Sequence, residues 1–112
     1  CCISATLRDH ARLGLFALAD GMLPDSTRVL PEGWMGASTA SSQGYTCDGY
    51  KWWLNADGRY GAYGIFRQAL TIDPKAQLII AVHSNGQAAS GSVHSQELEA
   101  TLAAISEHLP SL

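Results

Sequence analysis

The fold is decided by residues 50–83, which read YKWWLNADGRYGAYGIFRQALTIDPKAQLIIAVH. Aromatic and β-branched residues in this stretch are typical of strands, and turn residues divide it. The Asp57-Gly58 pair predicts a hairpin, and Asp73-Pro74 turns the chain again. The strands predicted around these turns span residues 50–54, 60–72 and 78–83. Because strands joined by tight turns pair antiparallel, the stretch predicts a three-stranded meander.

Two helices are predicted to flank this meander. Thr6 and Asp9 have the spacing of a capping box. A helix is therefore expected over residues 6–20, with Gly21 as its left-handed stop. Ser95 is expected to cap a second helix, whose apolar residues recur at helical spacing: Leu98, Leu102, Ile105 and Leu109.

The segment between the first helix and the sheet is expected to be mostly irregular. Pro31 suits the first turn of a short helix, and residues 36–44, rich in small and polar side chains, are predicted to lie on the surface. The predicted fold class is α/β (α+β), an antiparallel three-stranded meander with flanking N- and C-terminal helices. Residues 1–47 form its helical and loop segment, and residues 48–112 form its sheet and C-terminal helix.

Composition argues against several classes of function. Hydrophobic residues make up 46% of the 112 residues and charged residues 15%, which is typical of a globular chain. The net charge is −3 and no basic stripe is present, so nucleic acid is not an expected partner. The longest apolar run, residues 78–82, is too short to span a membrane. The cysteines, Cys1, Cys2 and Cys47, form no CxxC pair, and neither a metal nor another cofactor is expected.

A serine nucleophile paired with a lysine base is missing from this sequence. The Ser-x-x-Lys arrangement places the lysine one helical turn after the serine. Here Asp48 and Ile72 stand three residues before Lys51 and Lys75. Residues 36–40, GASTA, nearly spell a nucleophile elbow, but the hydrophobic strand that an elbow needs does not precede them. The chain is therefore not expected to turn over a substrate by itself.

The histidines do not point to a metal site, since no two have HExxH spacing: His10, His83, His94 and His108. His10 lies beside Arg8 and Arg12 in the predicted helix and is expected to be solvated. His83 ends a predicted strand, where it either faces a cleft or has a structural or solvent-facing role.

Residues 58–65, GRYGAYGI, carry glycines inside a predicted strand. A glycine in such a place indicates a bulge, or the close approach of another backbone or a ligand. Gly61 and Gly64 therefore leave two interpretations open. One is a strand edge whose N–H groups meet a substrate carbonyl, and the other is a bulge that accommodates the neighbouring aromatics.

Several motifs along the chain fall in one order. ISATLRDHARLG at 3–14 is followed by VLPEGW at 29–34, GYKWWL at 49–54 and YGIFRQ at 63–68. In this combination they resemble the last third of class C β-lactamase-like serine hydrolases, above all 6-aminohexanoate-dimer hydrolases and related esterases. The resemblance covers nearly the whole chain, although Cys1-Cys2 stands where such families usually carry a Gly-Gly pair.

The resemblance implies a β-lactamase/transpeptidase-like fold and hydrolysis of small amides or esters through a serine acyl-enzyme, with no cofactor. The family's serine, lysine and tyrosine would lie upstream of residue 1. The expected partner is thus the missing N-terminal part of the same hydrolase, and a sheet edge left open by a missing strand would favour self-association. The compartment, a bacterial periplasm or cytoplasm, stays open.

The resemblance also implies roles for individual residues. The triplet Ala62-Tyr63-Gly64 would take the place of the Lys-Thr-Gly of β-lactamases, and the backbone N–H of Ile65 would be the second donor of the oxyanion hole. Such a donor is worth about 3 kcal/mol in the transition state. Three aromatic residues are expected to line the acyl pocket, although core packing is an equal reading for the tryptophans: Trp52, Trp53 and Tyr63.

Two alternatives remain at this stage. Arg59-Tyr60-Gly61 also imitates Lys-Thr-Gly and would move the oxyanion amide to Ala62, but Arg59 then sits very near the predicted turn. In function, the alternative to a hydrolase segment is a non-catalytic binding or scaffold domain that keeps the β-lactamase-like sheet.

Overall fold

The computed structural model of the protein describes residues 3–86, 89 and 92–109. Cys1, Cys2 and part of the predicted 85–91 loop lie outside this part of the chain. Within it, three helices and four strands follow one another: α1 (Leu7–Leu18), α2 (Trp34–Ser38), β1 (Trp53–Leu54), β2 (Tyr60–Tyr63), β3 (Ala69–Asp73), β4 (Leu78–Val82) and α3 (Ser92–His108).

The sheet is an antiparallel meander in the order β1-β2-β3-β4. The α+β class and the antiparallel meander are therefore confirmed. The number of strands differs from the prediction, because residues 60–72 form two strands instead of one. The first predicted strand, 50–54, is also shortened to Trp53–Leu54, since Lys51 has a left-handed backbone with φ of 70°.

The reversal between β2 and β3 is a tight turn without the usual turn residues. The amide of Arg67 donates to the carbonyl of Gly64 at 3.0 Å, and the amide of Gly64 donates to the carbonyl of Gln68 at 2.8 Å. Arg67 takes the left-handed position, with φ of 69°. This is a type I turn followed by a bulge, in which glycine usually fills the left-handed position. The strand-like run of apolar residues through the turn explains why it was not predicted.

Helix α1 begins where the capping box predicts. Thr6 is the N-cap, and its hydroxyl accepts from the amide of Asp9 at 3.2 Å and donates to the Asp9 carboxylate at 2.8 Å. The hydrogen bond from Thr6, helped by Arg12, lowers the pKa of Asp9. The helix ends at Leu18, two residues before the predicted end, and Gly21 has the expected left-handed backbone with φ of 73°.

Two other helix starts differ from the predictions. Helix α2 begins at Trp34 and not at Pro31, because Gly33 takes a left-handed conformation as its N-cap and helical backbone starts only after it. Part of the segment predicted to be irregular is therefore helical. Helix α3 begins at Ser92, so Ser95 lies inside the helix and is not its cap.

The core lies between α1 and one face of the sheet, with α2 closing one end. Ala17, Met35, Tyr60 and Ile72 form its buried cluster. The close approach of α1 depends on Gly14, because a Cβ there would lie 2.9 Å from Cδ1 of Leu70. Helix α3 shares a cavity with residues around the β1–β2 and β3–β4 turns and buries Leu102, which is 1% exposed. The other end of the β2–β3 hairpin, at its turn, is open, and Ile65 there is 61% exposed.

Candidate active-site cleft

A cleft of about 760 Å³ lies at that open end. One wall is residues 3–5 and His10, from the start of α1. A second wall is residues 62–65 and Gln68, from the β2–β3 hairpin, and the third is His83 with Ser84, just beyond β4. The structure therefore brings the predicted residues Ala62, Tyr63, Gly64 and Ile65 together along one side of the cleft.

The backbone around Ile65 is held by hydrogen bonds on both sides. The amide of Gly64 donates to the Gln68 carbonyl at 2.8 Å, and the amide of Phe66 donates to Oε1 of Gln68 at 3.1 Å. The amide of Ile65 takes part in none of the hydrogen bonds found among the described residues. Ile65 itself is 61% exposed. A backbone donor at the cleft is thus free for a ligand, on a turn whose neighbouring amides are satisfied.

Gln68 is a residue that sequence reasoning missed. Its side-chain oxygen bonds to Phe66 and lies so close to Gly64 that a Cβ on this glycine would collide with it. A side chain at residue 64 would therefore displace the Gln68 oxygen that accepts from the Phe66 amide. Only knowledge of the turn would have singled out Gln68, because nothing in the surrounding residues marks its role.

Gly61 has a different explanation. It pairs with Thr71 across β2 and β3, and a Cβ on it would collide with the carbonyl oxygen of Leu70. Another strand's backbone therefore requires glycine here, and Gly61 does not line the cleft.

The alternative triplet Arg59-Tyr60-Gly61 lies away from the cleft. The guanidinium of Arg59 bonds to the carboxylate of Asp57 at 2.7 Å, which lowers the pKa of Asp57. Arg59 lines a separate cavity of about 430 Å³ beside α3. Tyr60 is buried in the core, and burial raises its pKa. Of the two triplets, only Ala62-Tyr63-Gly64 lines the cleft.

The two tryptophans do not reach the cleft. Trp52 packs edge-on against Tyr60, with ring centroids 5.2 Å apart, and belongs to the rim of the core. Trp53 is 52% exposed on the surface. Pocket lining and core packing were both left open for Trp52, and its position is that of a core aromatic residue.

Two histidines also meet at the cleft. The rings of His10 and His83 lie with centroids 5.6 Å apart and an interplanar angle of 51°. His10 is partly buried and lines this open cleft. Its neighbour Arg12 pairs with Asp9 at 2.7 Å. Within the described ranges no group of three or more His, Cys, Asp or Glu is placed to hold a metal ion.

Comparison with known proteins identifies the class. A family model for beta-lactamase matches residues 2–104, so the chain belongs to the beta-lactamase family. Its fold is similar to that of a Bacillus anthracis protein assigned by name to the 6-aminohexanoate-dimer hydrolases, with a TM-score of 0.72 and 28% sequence identity. The match covers 95% of this chain and 30% of that protein. No curated protein matches the chain.

The comparisons confirm the resemblance read from the motifs. The chain spans about 30% of the length of the Bacillus anthracis protein. None of the helices in the described ranges has the length and apolar character needed to cross a membrane.

Proposed function

We propose that this chain is the C-terminal segment of a serine hydrolase that cleaves small amides or esters through an acyl-enzyme. Its role is to supply one N–H donor of the oxyanion hole, on the turn that follows strand β2, and one wall of the pocket. The observation that carries the proposal is the amide of Ile65, which has no hydrogen-bond partner among the described residues and lies on a braced turn beside the cleft. Membership of the beta-lactamase family supports the reaction class.

The chemistry requires little of the Ile65 side chain. When a serine oxygen attacks the substrate carbonyl, the carbonyl oxygen gains negative charge, and N–H donors already aimed at it lower the barrier. The intermediate then collapses to an acyl-serine and releases the amine or alcohol, and water cleaves the ester in a second step. A backbone donor works with any residue except proline.

The nucleophile has to come from polypeptide other than residues 1–112, since no Ser-x-x-Lys is present here. We propose that the partner is the N-terminal part of the same hydrolase. Strand β4 supports this arrangement, because it pairs with β3 on one side and with no other strand of the described chain. An additional strand bound there would extend the sheet.

The Ile65 amide can be tested by replacing Ile65 with proline in a longer natural polypeptide that contains this chain. Ile65 is the second residue of the turn, where proline's fixed φ is well tolerated, so I65P deletes the donor and keeps the turn. We expect kcat for a nitrophenyl ester to fall roughly 100- to 1000-fold. The matched control, I65A, keeps the N–H and should retain kcat within a few-fold.

A companion assay separates the hydrolase from a scaffold domain. The 112-residue chain should hydrolyse nitrophenyl esters no faster than buffer, whereas the longer polypeptide should hydrolyse them and be labelled by a fluorophosphonate. Labelling of the 112-residue chain itself, or equal kcat for I65P and I65A, contradicts the proposal. A longer polypeptide that is neither labelled nor active favours the scaffold function.

A further inference from the structure

We propose that Asn85-Gly86 is a site of spontaneous covalent modification, at which the side chain of Asn85 is converted to aspartate and isoaspartate. The pair follows strand β4, and Asn85 is exposed. Asparagine is among the thermally labile residues, and a following glycine favours its reaction because no Cβ hinders the approach of the next backbone nitrogen. The modification requires no substrate and does not rest on the proposed hydrolase function.

The reaction consumes a water molecule and releases ammonia. The backbone nitrogen of Gly86 loses its proton and attacks Cγ of Asn85. A bond forms between this nitrogen and Cγ, the bond from Cγ to Nδ2 breaks, and Nδ2 leaves as ammonia with the proton. Water then opens the resulting succinimide ring. Cleavage between Cγ and the Gly86 nitrogen gives aspartate, and cleavage between the main-chain carbonyl carbon of Asn85 and that nitrogen gives isoaspartate.

The structure leaves the Asn85 carboxamide available and restrains the attacking nitrogen. None of the hydrogen bonds found among the described residues uses the Asn85 side chain. The amide of Gly86 donates to the carbonyl of Phe66 at 3.2 Å, on the β2–β3 turn. While this bond holds, the nitrogen keeps its proton and its peptide plane is fixed. Modification therefore proceeds from a state in which residues 84–86 have separated locally from the turn.

The similar pairs at the β1–β2 turn are less reactive. Asn55, the only other asparagine of the chain, is followed by Ala56, whose Cβ hinders ring closure. In Asp57-Gly58 the carboxylate accepts from the amide of Arg59 at 3.0 Å and from its Nε at 2.8 Å. The hydrogen bond from the Arg59 side chain lowers the pKa of Asp57, so this carboxylate stays ionised and is a poor electrophile. Residue 85 is thus the expected site.

The modification should act on the turn that carries Ile65. Isoaspartate adds a methylene to the main chain before Gly86, which moves the Gly86 amide out of register with the Phe66 carbonyl. The guanidinium of Arg67 lies against Gly86, since a Cβ on this glycine would collide with Nη1. Both products add a negative charge one residue from this contact. We therefore expect isoaspartate to release residues 84–86 from the turn.

The test is incubation of the 112-residue chain at neutral pH and physiological temperature, followed by mass spectrometry of its peptides. We expect the peptide that contains residue 85 to gain the mass that accompanies exchange of an amide NH₂ for OH, and to separate into two forms of this mass. The peptide that contains Asn55 should keep its mass. In the isoaspartate form, amide hydrogen exchange at Gly86 should be faster than in the unmodified chain.

Matched variants test the attacking nitrogen and the turn separately. Gly86→Ala adds a Cβ, which the flexible end of the Arg67 side chain can avoid, and should slow the mass gain several-fold. Gln68→Ala removes the oxygen that accepts from the Phe66 amide and should speed the mass gain several-fold. Gln77→Ala removes a side chain bonded to the β3–β4 turn and should leave the rate unchanged.

Each result bears on one step. A chain that keeps its mass at residue 85, or a Gly86→Ala variant that gains mass as fast as wild type, overturns the modification site. Equal rates for Gln68→Ala and Gln77→Ala overturn the restraint by the turn. Fluorophosphonate labelling of the longer polypeptide tests the hydrolase independently, so either proposal can fail alone.

Discussion

At Arg67, a long side chain occupies a backbone position that favours glycine. Its φ is 69°, and its Nε is buried without a hydrogen-bond partner among the described residues. A left-handed backbone costs a residue with a Cβ about 1–2 kcal/mol relative to its right-handed form. The turn that holds the Ile65 amide is therefore not optimised for stability at this residue.

We expect Arg67→Gly to have a free energy of unfolding about 1 kcal/mol above that of Arg67→Ala, because only glycine removes the left-handed strain. Urea denaturation of the two variants measures the difference. Alanine is the matched control, since both substitutions remove the guanidinium and alanine keeps the Cβ. Equal stabilities would show that the turn tolerates a Cβ at this position.

Gly61 offers a second test at the scale of one residue. A Cβ on Gly61 would collide with the carbonyl oxygen of Leu70, whereas a Cβ on Gly36 meets nothing within 4 Å. We expect Gly61→Ala to lower the free energy of unfolding by about 1–3 kcal/mol, because β2 and β3 must separate. Gly36→Ala, in helix α2, should be neutral or slightly stabilising. Thermal or urea denaturation that ranks the two variants equally contradicts this explanation of Gly61.

Among the elements, helix α1 has a start that can be tested through its cap. Thr6→Ala removes the hydroxyl that accepts from the Asp9 amide and donates to its carboxylate. We expect a loss of about 1 kcal/mol in the free energy of unfolding near neutral pH, the usual value of an N-cap. Thr6→Ser keeps the hydroxyl and serves as the control, with a loss of at most a few tenths of a kcal/mol.

The same pair has a pH dependence with a defined sign. The pKa of Asp9 is lowered in the folded protein, chiefly by the Thr6 hydroxyl. A lowered carboxyl pKa stabilises the fold above the unfolded pKa, and this contribution is lost as the pH falls through the folded value. The stability difference between wild type and Thr6→Ala should therefore shrink in acid. A difference that grows below pH 4 would contradict the assigned hydrogen bond.

For the whole molecule, the open edge of β4 predicts association. An unpaired strand edge binds another strand readily, and β4 has a neighbour on one side only within the described sheet. We expect sedimentation velocity of the 112-residue chain to show a weight-average mass that rises with concentration. A longer polypeptide that supplies the missing strand should stay monomeric over the same range. A 112-residue chain that remains monomeric at high concentration would contradict this role of β4.

Much of the fold could be predicted because its determinants are close together in sequence. Thr6 and Asp9 are one helical turn apart, and Asp57-Gly58 forms its hairpin with adjacent residues. The reversal at Gly64 could not be predicted from turn residues, since Ile65, Phe66 and Arg67 carry none of the usual turn chemistry. It is held instead by Gln68, whose side-chain contact with the turn depends on the turn being formed.

The sequence by itself determined the antiparallel meander, the capped first helix and the absence of Ser-x-x-Lys, because each depends on residues within a few positions of one another. Only the tertiary structure decided that the Ile65 amide has no hydrogen-bond partner among the described residues beside a cleft, and that the rings of His10 and His83 lie next to each other. Those two facts depend on how α1 packs across the end of the sheet. Packing of this kind is a property of the assembled surfaces and leaves no pattern at a fixed spacing in the chain.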